Sequence, residues 1–465
     1  MKAYTYTPRV AFAAICALLL ASAPLASAQE EDDEPRRSVI FFIGDGMGSS
    51  QISLGRLAAK ESKQPYNLDR FKVTGLVNTH SNDMHVTDSA ASATALATGV
   101  KTDNWMIGQD PEGRRLETIL EVAHREGYAT GLVTTTRITH ATPAAFAAHV
   151  KHRGMERDIA AQLVEKGYPE VLIGGGSQNF SEDQLAALRK QGYRVELALE
   201  TTTRDLGDKL ALFASKSHLP YVVDGGGTDL RRLTELAVSI LSAQGPFFLM
   251  VEGGRIDHAA HAHDAASMIR DQLDFDRAVG WALDSAGENA DLLIVVTADH
   301  ATGNLGISEV VDLPALLKVK ASSERLIHEQ EVDPTNAESR KDFVNRVEAA
   351  YGFELTSAEV DRVFARPKDR YYAPLALGHV ASDHFGVFFF DVDIQQDRLG
   401  KTHGHDGAMV PVFAFGPGAS AFSGTLDNTE IPKRIAKILK LPAPGGLALP
   451  ASAPKEQAQK KEGWF

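Results

Sequence analysis

The string Val86-Thr87-Asp88-Ser89-Ala90-Ala91-Ser92-Ala93-Thr94-Ala95 sets a carboxylate and a hydroxyl directly before a run of small residues. Such a run lets a helix start come close to other backbone and to a bound group. It also turns unpaired N–H groups and the positive end of the helix dipole toward an anion. Ser89 is therefore a candidate nucleophile. A serine hydroxyl needs a base or a metal to lower its pKa. No G-x-S-x-G elbow surrounds Ser89, so a metal is the expected activator. The same string also reads as a plain N-cap at Asp88 or Ser89 ahead of an Ala-rich helix.

Acidic residues follow three apolar runs. Val39–Ile43 leads into Gly44-Asp45-Gly46, Phe247–Val251 into Glu252-Gly253-Gly254, and Leu292–Thr297 into Ala298-Asp299-His300. Ligands of open α/β sheets bind beyond the carboxyl ends of the strands, and buried carboxylates there need a partner or a metal. Taken singly, each acid is equally a turn residue or a helix cap. The segment Arg255-Ile256-Asp257-His258-Ala259-Ala260-His261 adds weight, because Asp257 and His261 are spaced to share one face of a helix and grip one ion. A lone pair of this spacing is more often a surface pair, but this one closely follows Glu252. A third histidine is available in Lys401-Thr402-His403-Gly404-His405-Asp406-Gly407, as either His403 or His405.

These residues hang on an alternation of short apolar runs with amphipathic stretches from Ser38 onward, which predicts an α/β fold. The expected architecture is a central, mostly parallel sheet flanked by helices, with a helical, charged insertion. Strands are expected at Val39–Ile43, Thr130–Thr134, Val171–Ile173, Tyr221–Val223, Phe247–Val251, Leu292–Thr297, Gly386–Phe390 and Val410–Phe415. Helices are expected at Leu116–Glu126, Leu230–Gln244, Ser267–Asp284 and Ile431–Leu441. Residues 304–382 are charged and partly helical, lack buried-strand runs, and read as an insertion or cap. Residues 442–465, rich in Pro, Ala, Gly and Lys, read as a disordered tail.

The whole chain of 465 residues is 43% hydrophobic with a formal charge of −13, the composition of a globular protein with a sizeable core. The acidic balance argues against nucleic-acid recognition and against docking onto anionic membranes. Lys2 and Arg9 precede the apolar run Val10–Leu20, and Ala26-Ser27-Ala28 supplies a small-x-small cleavage site. Residues 1–28 thus read as a cleavable export signal and 29–37 as the start of a periplasmic or secreted chain. The apolar run is shorter than the ~20 residues of a membrane span, and no later segment is long and apolar enough. The single Cys, Cys16, falls in the signal, which excludes disulfides and thiol metal sites from the mature chain.

Together these strings resemble the alkaline phosphatase family. V-T-D-S-A-A-S-A-T-A is similar to its nucleophile signature, and the other stretches occur in the family's order from about Ser38 to Leu441. The resemblance implies two zinc ions and one magnesium ion (Zn2+ and Mg2+) at the carboxyl edge of the sheet, and a phosphoserine intermediate on Ser89. Asp257, His261 and His405 resemble the ligands of the first zinc. His405 is preferred to His403 because the family's histidine stands five residues before a V-P-V-F-like strand, which here begins at Val410. Asp45, Asp299 and His300, with Ser89, resemble the second set. Asp45 also resembles a bridge to magnesium, shared with Thr142 and Glu252. Arg153 matches the phosphate-gripping guanidinium, and Asp88 is expected to orient it.

His140 and His258 stand where enteric enzymes carry Asp and Lys; they resemble the animal enzymes and are expected to modulate the third metal site. Ala408 and Met409 replace acidic residues of many relatives, and the 304–382 insertion matches no family feature. The implied activity is hydrolysis of small-molecule phosphate monoesters, with inorganic phosphate as product and inhibitor, and the reading leaves room for a homodimer. A phosphodiesterase or sulfatase of the same superfamily competes with it. Diesterase relatives usually carry Thr as nucleophile and lack the magnesium site, whereas Ser89, Thr142, Glu252 and Arg153 favour monoesters. A catalytically inactive metal- or phosphate-binding protein would be marked by a lost ligand, and none is missing.

Overall fold

Strands covered on both faces by helices read as unbroken apolar runs rather than alternating ones. The runs at the centre of this chain behave so. The computed structural model describes Met1 and residues 36–199, 207–225, 229–288, 290–369, 371–398, 402 and 404–446. The expected export signal, apart from Met1, lies outside these residues, as do His403 and residues 447–465 of the expected tail.

In chain order the strands are β1 (Ser38–Gly44), β2 (Val73–Asn78), β3 (Ala129–Arg137), β4 (Val171–Gly175), β5 (Arg194–Glu196), β6 (Leu210–Phe213) and β7 (Phe247–Glu252). They continue with β8 (Leu292–Ala298), β9 (Ala301–Thr302), β10 (Gly306–Ile307), β11 (Val387–Phe388), β12 (His405–Asp406), β13 (Val410–Phe415) and β14 (Gly424–Asp427). Among the described residues, ten of them form one sheet in the order β14-β2-β13-β8-β1-β7-β3-β4-β6-β5. All its pairings are parallel except those of β13, which runs against both neighbours, β2 and β8. Every residue of β1, β7 and β8 is buried. Large side chains such as Phe41, Phe42 and Ile43 are fully enclosed, each contributing about 1.5–3 kcal/mol of burial.

Register then places the chemistry. Ile43 of β1 lies level with Glu252 of β7 on one side and with Thr297 of β8 on the other. Asp45, Glu252 and Asp299 therefore emerge together from three adjacent strands.

Two expected strands need correction. Tyr221–Val223 is not a strand; Val222–Asp224 forms a 3-10 turn, closed by the Asp224 N–H on Tyr221 O at 3.0 Å. Its apolar run is too short to distinguish strand from turn, and Val222 N–H is taken by Asp271 Oδ2 at 3.2 Å rather than by a ladder. From Gly386–Phe390 only Val387–Phe388 is extended, pairing with β10 outside the main sheet. Residues 304–382 supply β10 and the helices Leu313–Leu316, Ser323–His328, Ala337–Tyr351, Ser357–Val363 and Tyr372–His384, and no strand of the ten. At the start of the expected tail, Gly445 and Gly446 exchange hydrogen bonds with Glu117 at 2.8 Å. Among the described residues no helix is long and apolar enough to cross a membrane.

Candidate active site and metal centre

The Ser89–Thr98 helix begins because Asp88, in extended backbone, caps it, with Oδ1 accepting the Ala91 N–H at 3.0 Å. It ends at Gly99, whose φ of 69° lets its N–H return to Ala95 O. All ten residues are buried. Their small size lets the helix lie close to the end of β8, where Ser92 Oγ donates to Asp299 O at 2.7 Å. Ser89 Oγ sits at the N-terminus of this helix, 3.1 Å from His300 Nε2.

Asp88 does more than cap. Its Oδ1 also accepts the Trp105 N–H at 3.0 Å, and its Oδ2 pairs with Arg153 Nη1 at 3.0 Å. The other arm of Arg153 donates to His140 Nε2 at 3.1 Å. Asp88 thus caps the helix through Oδ1 and touches Arg153 through Oδ2.

Among the described residues, three groups of side chains are close enough to share an ion. Asp257, His261 and His405 form one, Asp45, Asp257 and His300 a second, and Asp45, His140 and Glu252 a third. His405 Nδ1 donates to Thr87 O at 2.9 Å, so its unprotonated Nε2 faces His261 Nε2 at 3.0 Å. Asp299 Oδ2 lies 3.3 Å from His300 Nε2, while its Oδ1 accepts the N–H groups of Gly46 and His300. Glu252 Oε2 is held by the hydroxyls of Thr134 and Thr136, and the nearby Thr142 hydroxyl is buried without a hydrogen-bond partner. His258 joins none of the three groups; its Nδ1 accepts from Arg255 Nη1 at 2.9 Å.

Two glycines make this crowding possible. Gly46 has a φ of +68°, and a Cβ on it would stand 2.8 Å from Asp257 Oδ1. A Cβ on Gly254 would meet Thr136 Cγ2 at 2.3 Å and Glu252 Oε1 at 2.8 Å.

Electrostatics test whether the donors suit cations. Both Asp45 oxygens, Asp299 Oδ2, Glu252 Oε1 and His140 Nδ1 are buried without a hydrogen-bond partner. Burial and then the charges of Asp299, Asp257 and Glu252 push the Asp45 carboxyl well above its ordinary range. Burial, reinforced by Asp299, raises Glu252 to about 7. Burial pushes His140 and His405 well below the usual histidine value, with Arg153 and His300 respectively the next causes. Buried acids with spare lone pairs beside neutral imidazoles are what divalent ions require. The donor set fits metal binding.

A family profile described as alkaline phosphatase matches residues 36–325. Alkaline phosphatase 3 of Bacillus subtilis (strain 168) is 33% identical over 453 residues, covering 92% of this chain and 95% of its own. The chain belongs to the alkaline phosphatase family. Among solved structures, the cold-active alkaline phosphatase of the psychrophile Shewanella sp. is similar with a TM-score of 0.74 and 31% identity, covering 86% of this chain and 99% of that one. A variant of TAB5 alkaline phosphatase solved with magnesium in its M3 site gives a TM-score of 0.65 and 29% identity, covering 88% and 100%. The protein is accordingly a phosphatase.

The phosphatase site opens into a cleft of about 1020 Å³ reaching from Ser89 and Arg153 to residues of the 304–382 segment, including Glu324, His328 and Tyr371. Sequence reasoning missed these, together with Trp105, His218 and Arg255. His218 stands with its ring 4.3 Å from that of His258 and 5.5 Å from that of His140. Arg255 is stacked over Tyr221 at 3.6 Å and paired with Glu324 at 3.1 Å. A lone His between Ser217 and Leu219, or a single Trp in a loop, carries no spacing signal. Only the fold brings them to the cleft.

Proposed function

We propose that this phosphatase hydrolyses phosphate monoesters through a phosphoserine on Ser89, holding two zinc ions and one magnesium ion. Asp257, His261 and His405 would hold the first zinc, Asp45, Asp299 and His300 the second, and Asp45, Thr142 and Glu252 the magnesium. The observation that carries the reading is Ser89 Oγ at a helix N-terminus, 3.1 Å from His300 Nε2, with Arg153 paired to the preceding residue. Imidazole with carboxylate suits zinc and an oxygen-rich set suits magnesium. When bound, such ions supply Lewis-acid stabilisation of the serine alkoxide and of the leaving oxygen.

The chain's own residues do the rest. Arg153, anchored by Asp88, offers its planar fork to two phosphate oxygens. The N-terminus of the Ser89–Thr98 helix, the positive end of its dipole, adds attraction for the same anion. Ser89 Oγ attacks phosphorus in line with the departing alcohol, inverting the centre. A water then attacks phosphoserine, Ser89 departs, and the second inversion restores the configuration. Phosphate leaves as product and competes as inhibitor. The reading extends to export: residues 1–28 act as a cleavable signal ahead of a domain over 38–441, with 304–382 as its insertion or cap, 442–465 as its tail, and a periplasmic or secreted product.

Hydrolysis of p-nitrophenyl phosphate by the mature protein, with metal analysis before and after EDTA, tests this. Full activity after exhaustive chelation would overturn the metal assignment. Ser89→Ala is expected to lose the trapped phosphoenzyme and about 10³-fold or more in kcat; trapping on another residue would overturn the nucleophile.

A further inference from the structure

Trp105 adopts a φ of +77°, a left-handed backbone that strains a bulky side chain and is open to glycine. Its backbone makes two bonds that matter to the site. The Trp105 N–H donates to Asp88 Oδ1 at 3.0 Å, and Trp105 O accepts the Arg153 N–H at 2.8 Å. Glycine would make both bonds without strain, so the indole is not needed for the loop. The indole is instead held flat on His152, ring centroids 5.3 Å apart and planes 2° apart, and lines the cleft beside Ser89 and Arg153. Tyr371, 63% exposed, and Pro374 line the same cleft from the 304–382 segment. A phosphate held at Ser89 and Arg153 places its ester group in that space.

We infer that Trp105 is a specificity-determining residue that stacks on the leaving group, favouring phosphate monoesters with a flat aromatic ring over aliphatic ones. Aryl phosphates and nucleoside monophosphates share that chemistry. The inference rests on the monoesterase reading above and names the substrate class it prefers. Stacking of a flat ring on an aromatic side chain is sequence-tolerant because every such ring has a π-face.

The test compares p-nitrophenyl phosphate, 5′-AMP and glycerol 2-phosphate in the metal-loaded wild type, Trp105→Gly and Trp105→Phe, with the inhibition constant of inorganic phosphate. In Trp105→Gly, kcat/KM for at least one ring-bearing ester relative to glycerol 2-phosphate should fall about 5- to 30-fold, mainly through KM. Phosphate inhibition should move less than about twofold, and Trp105→Phe should recover most of the loss. A fall confined to 5′-AMP assigns the surface to nucleobases, and one confined to the nitrophenyl ester assigns it to small aryl groups. Equal losses on all three esters with weakened phosphate inhibition would reduce Trp105 to a loop residue, and unchanged ratios would leave the indole without a substrate role; either overturns the inference. A wild type that hydrolyses none of the three overturns the monoesterase reading instead.

Discussion

Asp88 divides its two oxygens between structure and chemistry, and the two roles separate by substitution. Asparagine keeps an oxygen for the N–H groups of Ala91 and Trp105 but loses the charge facing Arg153. Asp88→Asn should therefore raise the inhibition constant for phosphate, and kcat with it if release limits turnover, while stability barely moves. Asp88→Ala should do the same and also lose about 1 kcal/mol of helix capping. Phosphate inhibition unchanged in both variants would break the link to Arg153. His140 and His258, paired by the sequence as modulators of the third site, are placed differently. His140 groups with Asp45 and Glu252, whereas His258 is committed to Arg255. Excess zinc should inhibit the wild type and magnesium should restore it. His140→Asp should weaken that inhibition severalfold and His258→Lys should alter it little. Equal zinc titrations for wild type and His140→Asp would refute the assignment.

Three parallel strands and one tight turn do most of the positioning. Because Asp45 follows β1 by one residue, the Gly46 turn must fold back at once, and it does so against the Asp257 backbone, where a Cβ would sit 2.9 Å from Cα. A β-branched side chain there meets both a forbidden φ and that backbone. Gly46→Val should lower Tm and reduce bound metal together, read by calorimetry and metal analysis; normal metal content would show that the turn does not fix Asp257. β1, β7 and β8 were legible in the sequence because burial on both faces writes them as unbroken apolar runs, and the acids ending them were legible for the same reason. β2 was not, since only Val77 of its six residues is buried. β6, though buried, is four residues of Leu-Ala-Leu-Phe, which periodicity cannot separate from a helix turn. Asp45, Glu252 and Asp299 stood out at their strand ends and Asp257 with His261 by i,i+4 spacing, whereas Thr142 and the choice of His405 over His403 came only through the family resemblance. The cleft's outer wall was not, because it is assembled from residues more than two hundred positions apart, Trp105 and Tyr371 among them.

At the scale of the whole molecule, the cluster of acids ties stability to both metal and pH. In the metal-free protein Glu252 titrates near 7 rather than at its ordinary 4.5, because burial and Asp299 disfavour its charged form. Between those two values the folded chain holds a proton that the unfolded chain has released. Stability from this group therefore falls as pH rises through the window, by on the order of 3 kcal/mol, and stays low above it. The buried histidines His140, His258 and His405 act in the opposite sense, since each is held neutral in the fold and costs stability as pH drops below the ordinary histidine value. A bare pH profile would mix the two trends, but a glutamine in place of Glu252 is a neutral isostere of its protonated form and leaves the histidines in place. After exhaustive chelation, Glu252→Gln and wild type should unfold at the same urea midpoint near pH 4, and the variant should become progressively the more stable one up to about pH 7. Reloading both proteins with zinc and magnesium should reverse the order at pH 8, because the ions then bind the carboxylate that the variant lacks. A chelated variant that gains nothing over wild type between pH 4 and 7 would mean that Glu252 is not held protonated by its neighbours, and that the cluster is not strained for want of cations.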